Sequence, residues 1–285
     1  LRITQIKLSI QDDVSAVKLQ VAKKLKMKPK DILSLSIYKE SIDARKRCEI
    51  KFIYTVDITV LDEHKFLTGK FKHVALTPEL AYQNPQKGVK QLTSRPVVVG
   101  FGPAGMYAAL LLAQMGYKPL VLERGEAVDE RVQSIDAFWQ KGKLNPKSNV
   151  QFGEGGAGTF SDGKLTSRVK DLRGRKVLTE LVNAGAPEEI LYKAHPHVGT
   201  DLLRDIVKNI RKEIIKLGGE VRFDTQVKQV NLEQQQLKSL TLSTGEVIDV
   251  QQAIFAIGHS ARDTFGELYE AGVMMTAKPF AVGVR

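Results

Sequence analysis

A glycine string at residues 100–105 has the residue types and spacing of a phosphate-binding turn. The string, Gly100-Phe-Gly-Pro-Ala-Gly105, follows an apolar stretch at 97–99 and precedes an apolar-rich stretch at 103–114. In a strand–turn–helix with the spacing G-x-G-x-x-G, glycine lets the backbone approach a pyrophosphate, and the helix N-terminus favours the anion. Proline also suits the first turn of such a helix. The sequence therefore predicts a dinucleotide site whose pyrophosphate-binding residues are Gly100, Gly102, Pro103, Ala104 and Gly105.

An acidic residue follows at the position of a ribose-binding group. Glu123 ends a second apolar stretch at 119–122, roughly 20 residues after the last glycine, which is the usual separation in dinucleotide-binding folds. Its carboxylate is suited to accept hydrogen bonds from ribose hydroxyls and would repel a 2′-phosphate, which disfavours NADP. Arg124, directly after it, weakens that exclusion. This unit alone leaves NAD and the ADP half of FAD open.

A second glycine-rich segment spans residues 151–165 and includes five glycines. Such a stretch is either a flexible linker or a wall that a ligand can approach closely. Strands and helices are predicted on both sides of it, so we interpret the segment as the second wall of the dinucleotide site. Its polar side chains are equally suited to face solvent, as in an ordinary loop, or to contact a phosphate group. The residues expected to contact the ligand are Gly155, Gly156, Gly158, Ser161, Gly163 and Lys164.

The chain beyond residue 199 has a regular order of predicted elements. Apolar residues at spacings of three and four predict a helix over 201–217, with Thr200 as its cap. Alternating apolar residues predict a three-stranded β-meander after it. An apolar strand then ends in Ala256-Ile257-Gly258. The strands of this part are predicted at 220–224, 227–230, 237–242, 247–250 and 253–258.

This order resembles the large family of flavoproteins with a two-dinucleotide-type FAD fold. In that family an apolar strand after a β-meander ends in Ala-Thr-Gly, and Ile257 replaces the threonine here. The first motif, ending Leu122-Glu123-Arg124-Gly125, is also more similar to an FAD site than to an NAD site. The resemblance implies that the 151–165 segment runs along the pyrophosphate and ribityl chain of FAD. The resemblance also implies that the cofactor-binding residues include Glu123, Arg124, Val227, Ala256 and Gly258.

Two strings are similar to a bacterial family of uncharacterised FAD-dependent dehydrogenases, which are NAD(P)/FAD-dependent oxidoreductases. They span residues 149–164 and 258–265, and the 41–45 segment is similar too, so the resemblance covers nearly the whole chain. It implies hydride transfer between an unidentified small organic substrate and flavin, with NAD(P)H as a candidate electron donor or acceptor. Flavoproteins of this kind carry a later Gly-Asp motif, which nothing after Gly258 matches. We therefore expect an N-terminal fragment whose substrate or cap region begins near 270–285.

The candidate catalytic residue is His259, because it follows the Ala-Ile-Gly turn and would lie near the cofactor. Arg262 and Asp263 are close to it, and we interpret them as a local ion pair. His195 and His197 flank a proline, but two histidines without a third ligand make a poor metal site. No metal site is predicted.

The predicted fold class is α/β, with a Rossmann-like three-layer FAD/NAD(P)-binding domain over residues 96–285. A small basic α+β domain over residues 1–80 precedes it, in the order βαββ. Residues 81–95 are polar, contain proline and glycine, and are predicted to be a linker.

Composition narrows the class of protein. Of the 285 residues, 42% are hydrophobic and 26% charged, as in a globular protein, and no apolar run reaches the roughly 18 residues of a membrane span. Cys48 is the single cysteine, which excludes an internal disulfide and suits a reducing cytoplasm.

The net charge of +11 lies mostly in residues 1–95. We interpret this excess as a solvated lysine-rich surface, so a nucleic-acid partner is disfavoured. Three alternatives stay open at this point: an NAD-dependent dehydrogenase, an FAD-dependent RNA-modifying protein that binds RNA through the basic domain, and a non-enzymatic assembly module. The sequence does not predict an oligomeric state.

Overall fold

The computed structural model divides the chain into two compact units. The first unit is Leu1–Asn84 with Lys164–Val198, and the second is Pro85–Gly163 with Gly199–Arg285. The residues described below are 1–46, 49–160, 165, 171–193 and 196–279. Within those ranges, every helix is too short or too polar to span a lipid bilayer.

The first unit contains a four-stranded antiparallel sheet and a helix. The strand order is β2-β3-β1-β4, so the predicted βαββ order gains one short strand. The helix packs its buried face, Val17, Val21 and Leu25, into the same core as Ile6 and Val56. The elements are β1 (Arg2–Ser9), α1 (Ala16–Leu25), β2 (Ser34–Asp43), β3 (Lys51–Thr59) and β4 (Val74–Ala75).

A segment from the middle of the chain also belongs to this first unit. The helix α4 (Leu172–Asn183) places the Arg175 guanidinium carbon 5.1 Å from the ring centroid of Tyr38 on β2. Farther along, the carbonyl oxygen of Tyr192 accepts a hydrogen bond from the Glu40 N–H at 2.8 Å. Because β2 is an edge strand, its backbone has groups that another segment can bond. This division differs from the predicted one, which assigned all of 96–285 to the dinucleotide domain.

The second unit contains a parallel sheet with the strand order β11-β5-β6-β7. The two central strands are buried at every residue, which suits a sheet whose two faces are both covered. The strands are β5 (Val97–Val99), β6 (Leu120–Leu122), β7 (Glu220–Arg222) and β11 (Ala253–Phe255). The helices are α2 (Pro103–Gln114), α3 (Val128–Lys141), α5 (Thr200–Lys216) and α6 (Arg262–Glu270).

An antiparallel meander covers one face of the parallel sheet. Its strands, in the order β10-β9-β8, share a hydrophobic core with Val97, Val99, Leu120 and Leu122. The side chains that alternate with these, such as Val98, lie on the opposite face, where α2 and α5 pack. This arrangement confirms a mixed α/β fold with a parallel sheet. The meander strands are β8 (Val227–Glu233), β9 (Gln236–Leu242) and β10 (Val247–Asp249).

The predicted helix and strand boundaries of the second unit lie within three residues of those in the structure, but one predicted helix cap does not hold. Thr200 is the first residue of α5 rather than its cap, and Gly199 occupies the cap position without a side-chain hydrogen bond. The prediction that Thr200 caps this helix was therefore wrong.

Candidate functional site

A cavity of about 560 Å³ lies at the carboxyl ends of the parallel strands. The last residues of three strands, Val99, Leu122 and Phe255, line it. Open α/β sheets bind ligands at this edge, and the volume is typical of a small-molecule site. The predicted site residues that line the cavity are Gly100, Gly102, Pro103, Ala104, Glu123, Arg124, Gly156, Gly158, Val227, Ala256, Gly258 and His259.

Two predicted site residues within the described ranges do not line this cavity. Gly105 and Gly155 are buried behind its wall. Ser161, Gly163 and Lys164 lie outside the described residues, so their predicted contacts stay predictions.

The first glycine turn brings α2 very close to β5. Gly100 has a φ of +97°, and a Cβ at Gly105 would lie 1.9 Å from the carbonyl oxygen of Gly100. A side chain at Gly105 is therefore sterically excluded. The first helical hydrogen bond runs from the Met106 N–H to the Gly102 carbonyl oxygen, so the N–H groups before Met106 have no acceptor within the helix. This positive helix end lines the cavity.

Glu123 connects the two glycine segments from a position that is only 4% exposed. Its Oε2 accepts a hydrogen bond from the Phe101 N–H at 2.6 Å. Its Oε1 accepts from the Gly125 N–H at 2.9 Å and from the Gly153 N–H at 3.0 Å. A carboxylate has about four acceptor positions, so about one remains for a ligand. The acceptor position that remains for the predicted ribose contact is therefore on Oε2.

The described part of the second glycine segment packs tightly against the first. The Gly155 N–H donates to the Phe101 carbonyl oxygen at 2.8 Å. Gly156 has a φ of +66°, and a Cβ there would lie 3.1 Å from the Gly102 Cα and 3.0 Å from the Pro103 Cδ. Residues 151–160 are therefore a packed wall of the cavity and not a linker.

Arg131 lies behind this wall with no exposed surface. Its guanidinium donates to three backbone carbonyl oxygens, those of Asn149 at 2.9 Å, Val150 at 3.0 Å and Glu154 at 2.5 Å. Burial lowers the pKa of Arg131 to about 10, against the attraction of Glu123 and Glu154, so the group is a cation at neutral pH. Sequence reasoning missed Arg131, because its acceptors are backbone atoms that leave no mark in the residue types.

Glu154 is a second buried charge in the same region. One oxygen accepts a hydrogen bond from the Val128 N–H at 2.8 Å, and the other lies 3.3 Å from the Arg211 Nε. Burial raises the pKa of Glu154, although the Val128 N–H and the Arg211 charge act in the opposite direction.

Arg124 is paired rather than free. Its Nη2 lies 2.9 Å from Asp263 Oδ1 and donates to the Thr264 Oγ1 at 2.8 Å. The guanidinium carbon is 4.5 Å from the ring centroid of Phe152. The predicted Arg262–Asp263 ion pair was therefore wrong. Consecutive residues of α6 point in different directions, and Asp263 faces Arg124 on the neighbouring segment.

The electrostatics of Asp263 follow from these partners. Burial alone would raise its pKa, but hydrogen bonds from Arg124 and from the Thr264 N–H outweigh burial and lower the pKa. Gln226 Nε2 adds a further hydrogen bond to Oδ2 at 2.5 Å. Because Asp263 neutralises much of the Arg124 charge, little positive charge remains there to bind a 2′-phosphate.

His259 is exposed at the rim of the cavity, next to Gly258 with a φ of +68°. Its ring nitrogens lie 3.4–3.5 Å from the Ser260 Oγ. A catalytic role for His259 stays a prediction. His195 lies outside the described residues, and within them no group of three His, Cys, Asp or Glu side chains could hold a metal ion.

Sequence comparisons find relatives without a stated activity. Residues 1–59 match the model of a domain of unknown function, DUF8436. The whole chain is 48% identical over 286 residues to an uncharacterised protein of Clostridium beijerinckii. The chain spans 54% of the length of that relative.

Two solved structures show distant similarity. THI4 from Thermovibrio ammonificans is 19% identical, with a TM-score of 0.43 over 63% of each chain. OTEMO, solved in complex with FAD and NADP, is 18% identical, with a TM-score of 0.37 over 59% of this chain and 26% of that one.

Proposed function

We propose that the second unit binds FAD and that the protein is an oxidoreductase transferring hydride between the flavin and a small organic substrate. One observation carries the proposal. A single cavity at the carboxyl ends of the parallel strands is lined by both glycine segments, Glu123 and the Ala256–Gly258 turn. Dinucleotides bind at this edge of such sheets, with the pyrophosphate at a helix N-terminus.

The residues present suit the parts of FAD. The start of α2 and the glycine wall around Gly156 would hold the pyrophosphate, since both allow close approach and the helix end is positive. The free position on Glu123 Oε2 would accept a ribose hydroxyl. Apolar side chains, among them Ile257 and Phe265, line the remaining cavity and suit an aromatic ring system. FAD would supply the hydride chemistry when bound.

The charges around the cavity favour FAD over a 2′-phosphorylated dinucleotide at this site. The Glu123 carboxylate is buried in the cavity wall, and Asp263 pairs with Arg124, which follows Glu123 in the sequence. A 2′-phosphate would meet two carboxylates and a largely neutralised cation. A second, transient site for NAD(P)H as electron donor or acceptor is part of the proposal.

The direct test is to purify the protein and to record its absorption spectrum. We expect a tightly bound yellow chromophore whose released form has the mass of FAD, bleached by the true substrate. A colourless protein that retains NAD instead would contradict the proposal.

A further inference from the structure

Arg131 is among the largest fully buried side chains in the part of the chain that the structure describes, and the proposed chemistry gives it no role. It lies in the first two turns of α3, which begins at Val128. Burying a charge is costly unless its hydrogen bonds are well made, so a buried arginine calls for a physical reason.

The reason lies in the shape of its contacts. The guanidinium donates from Nε to Asn149, from Nη2 to Val150 and from Nη1 to Glu154, in each case to a backbone carbonyl oxygen. A planar fork with donors on three nitrogens can bond three acceptors at once, which an ammonium group cannot reproduce in the same geometry. Arg131 therefore fixes the path of residues 149–154.

The contact between α3 and this segment runs in both directions. Glu154, in the segment, accepts the N–H of Val128, the first residue of α3. Gly153 has a φ of +114°, and a Cβ there would lie 2.5 Å from the Arg131 Cδ. The segment thus closes over the arginine without space for a side chain.

The other side of the same segment faces the cavity. The Gly153 N–H donates to Glu123, and Gly153 and Gly156 both line the cavity wall. A displacement of residues 149–154 would shift this wall and the Glu123 carboxylate together. We propose that Arg131 is a positioning residue that holds the second glycine segment in its FAD-binding shape. This inference rests on the proposed function.

Two substitutions test the fork and the charge separately. Arg131→Met keeps the approximate length and removes every donor, whereas Arg131→Lys keeps the charge and removes the fork. The matched control is Ile135→Ala, one turn farther along α3, at a site that is 1% exposed. It destabilises the same helix by leaving a cavity and changes none of the hydrogen bonds to the segment.

The measurements are FAD affinity by titration of the apo full-length protein, melting temperature, and the spectrum of bound FAD. We expect Arg131→Met to raise the Kd for FAD at least about tenfold, which is about 1.4 kcal/mol, and Arg131→Lys to raise it by less. Both should also shift the spectrum of the bound flavin. Ile135→Ala should lower the melting temperature while keeping the wild-type Kd and spectrum.

The outcomes separate this inference from the proposed function. Failure of the wild-type protein to bind FAD overturns the proposed function and this inference with it. Wild-type FAD affinity in Arg131→Lys and Arg131→Met overturns only the role of Arg131, as does an equal loss of affinity in Ile135→Ala. If Arg131→Met does not fold, the comparison of Arg131→Lys with Ile135→Ala decides.

Discussion

At the scale of single residues, Glu123 combines two tasks. It joins the two glycine segments through hydrogen bonds, and it keeps one acceptor position for a ligand. Its position at the end of β6 is readable from the spacing after the glycine turn. Its three backbone partners are not, since Phe101 and Gly153 are far away in sequence and act through their N–H groups. The carboxylate therefore helps to fix the positions of the two glycine segments, whereas the sequence predicted only a contact with the ligand.

Glu123→Gln should destabilise the fold. The amide has one oxygen where the carboxylate has two, so its NH₂ group would face backbone donors in a buried site. We expect a loss of about 1–3 kcal/mol in the free energy of unfolding, measured by urea denaturation. The control Glu270→Gln, at an exposed position of α6, should stay within about 0.5 kcal/mol of wild type. A neutral Glu123→Gln would show that these hydrogen bonds add little.

Gly102→Ala tests close approach of the ligand at the start of α2. Gly102 has an ordinary φ of −73°, and a Cβ would have its nearest contact at 3.7 Å, so the chain tolerates the methyl group. We expect less than about 1 kcal/mol of lost stability, with FAD affinity at least about tenfold weaker. Isothermal titration with FAD measures the affinity. Gly266→Ala in α6, where a Cβ meets nothing, should bind as wild type. Unchanged affinity in Gly102→Ala would place the pyrophosphate elsewhere.

At the scale of elements, local pattern predicted the strands and helices that surround the site. The helix predicted over 103–114 is α2 (Pro103–Gln114), because an apolar strand, a glycine turn and a proline define its start. The packing of one glycine segment on the other was not predictable in detail. It depends on backbone atoms of Gly102 and Gly156, which are far apart in the chain.

Gly156→Ala measures the packing between the two segments. Its natural control is Gly142→Ala, because Gly142 has nearly the same φ, +65° against +66°, but space for a Cβ. Both variants carry the left-handed penalty of about 1–2 kcal/mol. Gly156→Ala should lose more stability than Gly142→Ala in thermal unfolding, because its Cβ would contact Gly102 and Pro103. Equal losses would mean that the segments adjust freely.

The contact between Arg124 and Asp263 joins the end of β6 to α6. It should make the free energy of unfolding depend on pH in the acid range. Because the pKa of Asp263 is lowered in the folded state, its stabilising contribution is present above the unfolded value of about 3.9 and is lost as pH falls through the folded pKa. The pair is partly exposed, so its contribution at neutral pH is at most about 1 kcal/mol. Asp263→Asn should flatten the decline of unfolding free energy below about pH 4. Asp249→Asn, on an exposed site of β10, should reproduce the wild-type slope; the same slope in Asp263→Asn would contradict the pairing.

At the scale of the whole molecule, the chain forms two units, and each unit consists of two segments that are separated in the sequence. The glycine turn, the meander and the Ala256–Gly258 turn are local signals in the sequence, and residues predicted from them line the cavity of the second unit. The membership of α4 in the first unit depends on contacts with β2 that are distant in sequence, so it could not be predicted. Because the chain spans 54% of its relative, the activity of the complete protein is part of the proposal.

The most direct test of the central claim is the cofactor content of the purified full-length protein. We predict flavin absorption in the folded protein and, after denaturation, release of a compound with the mass of FAD at close to one per chain. The Gly102→Ala variant should lose most of that content while staying folded. A folded wild-type protein without flavin, which does not bind added FAD, would contradict the account.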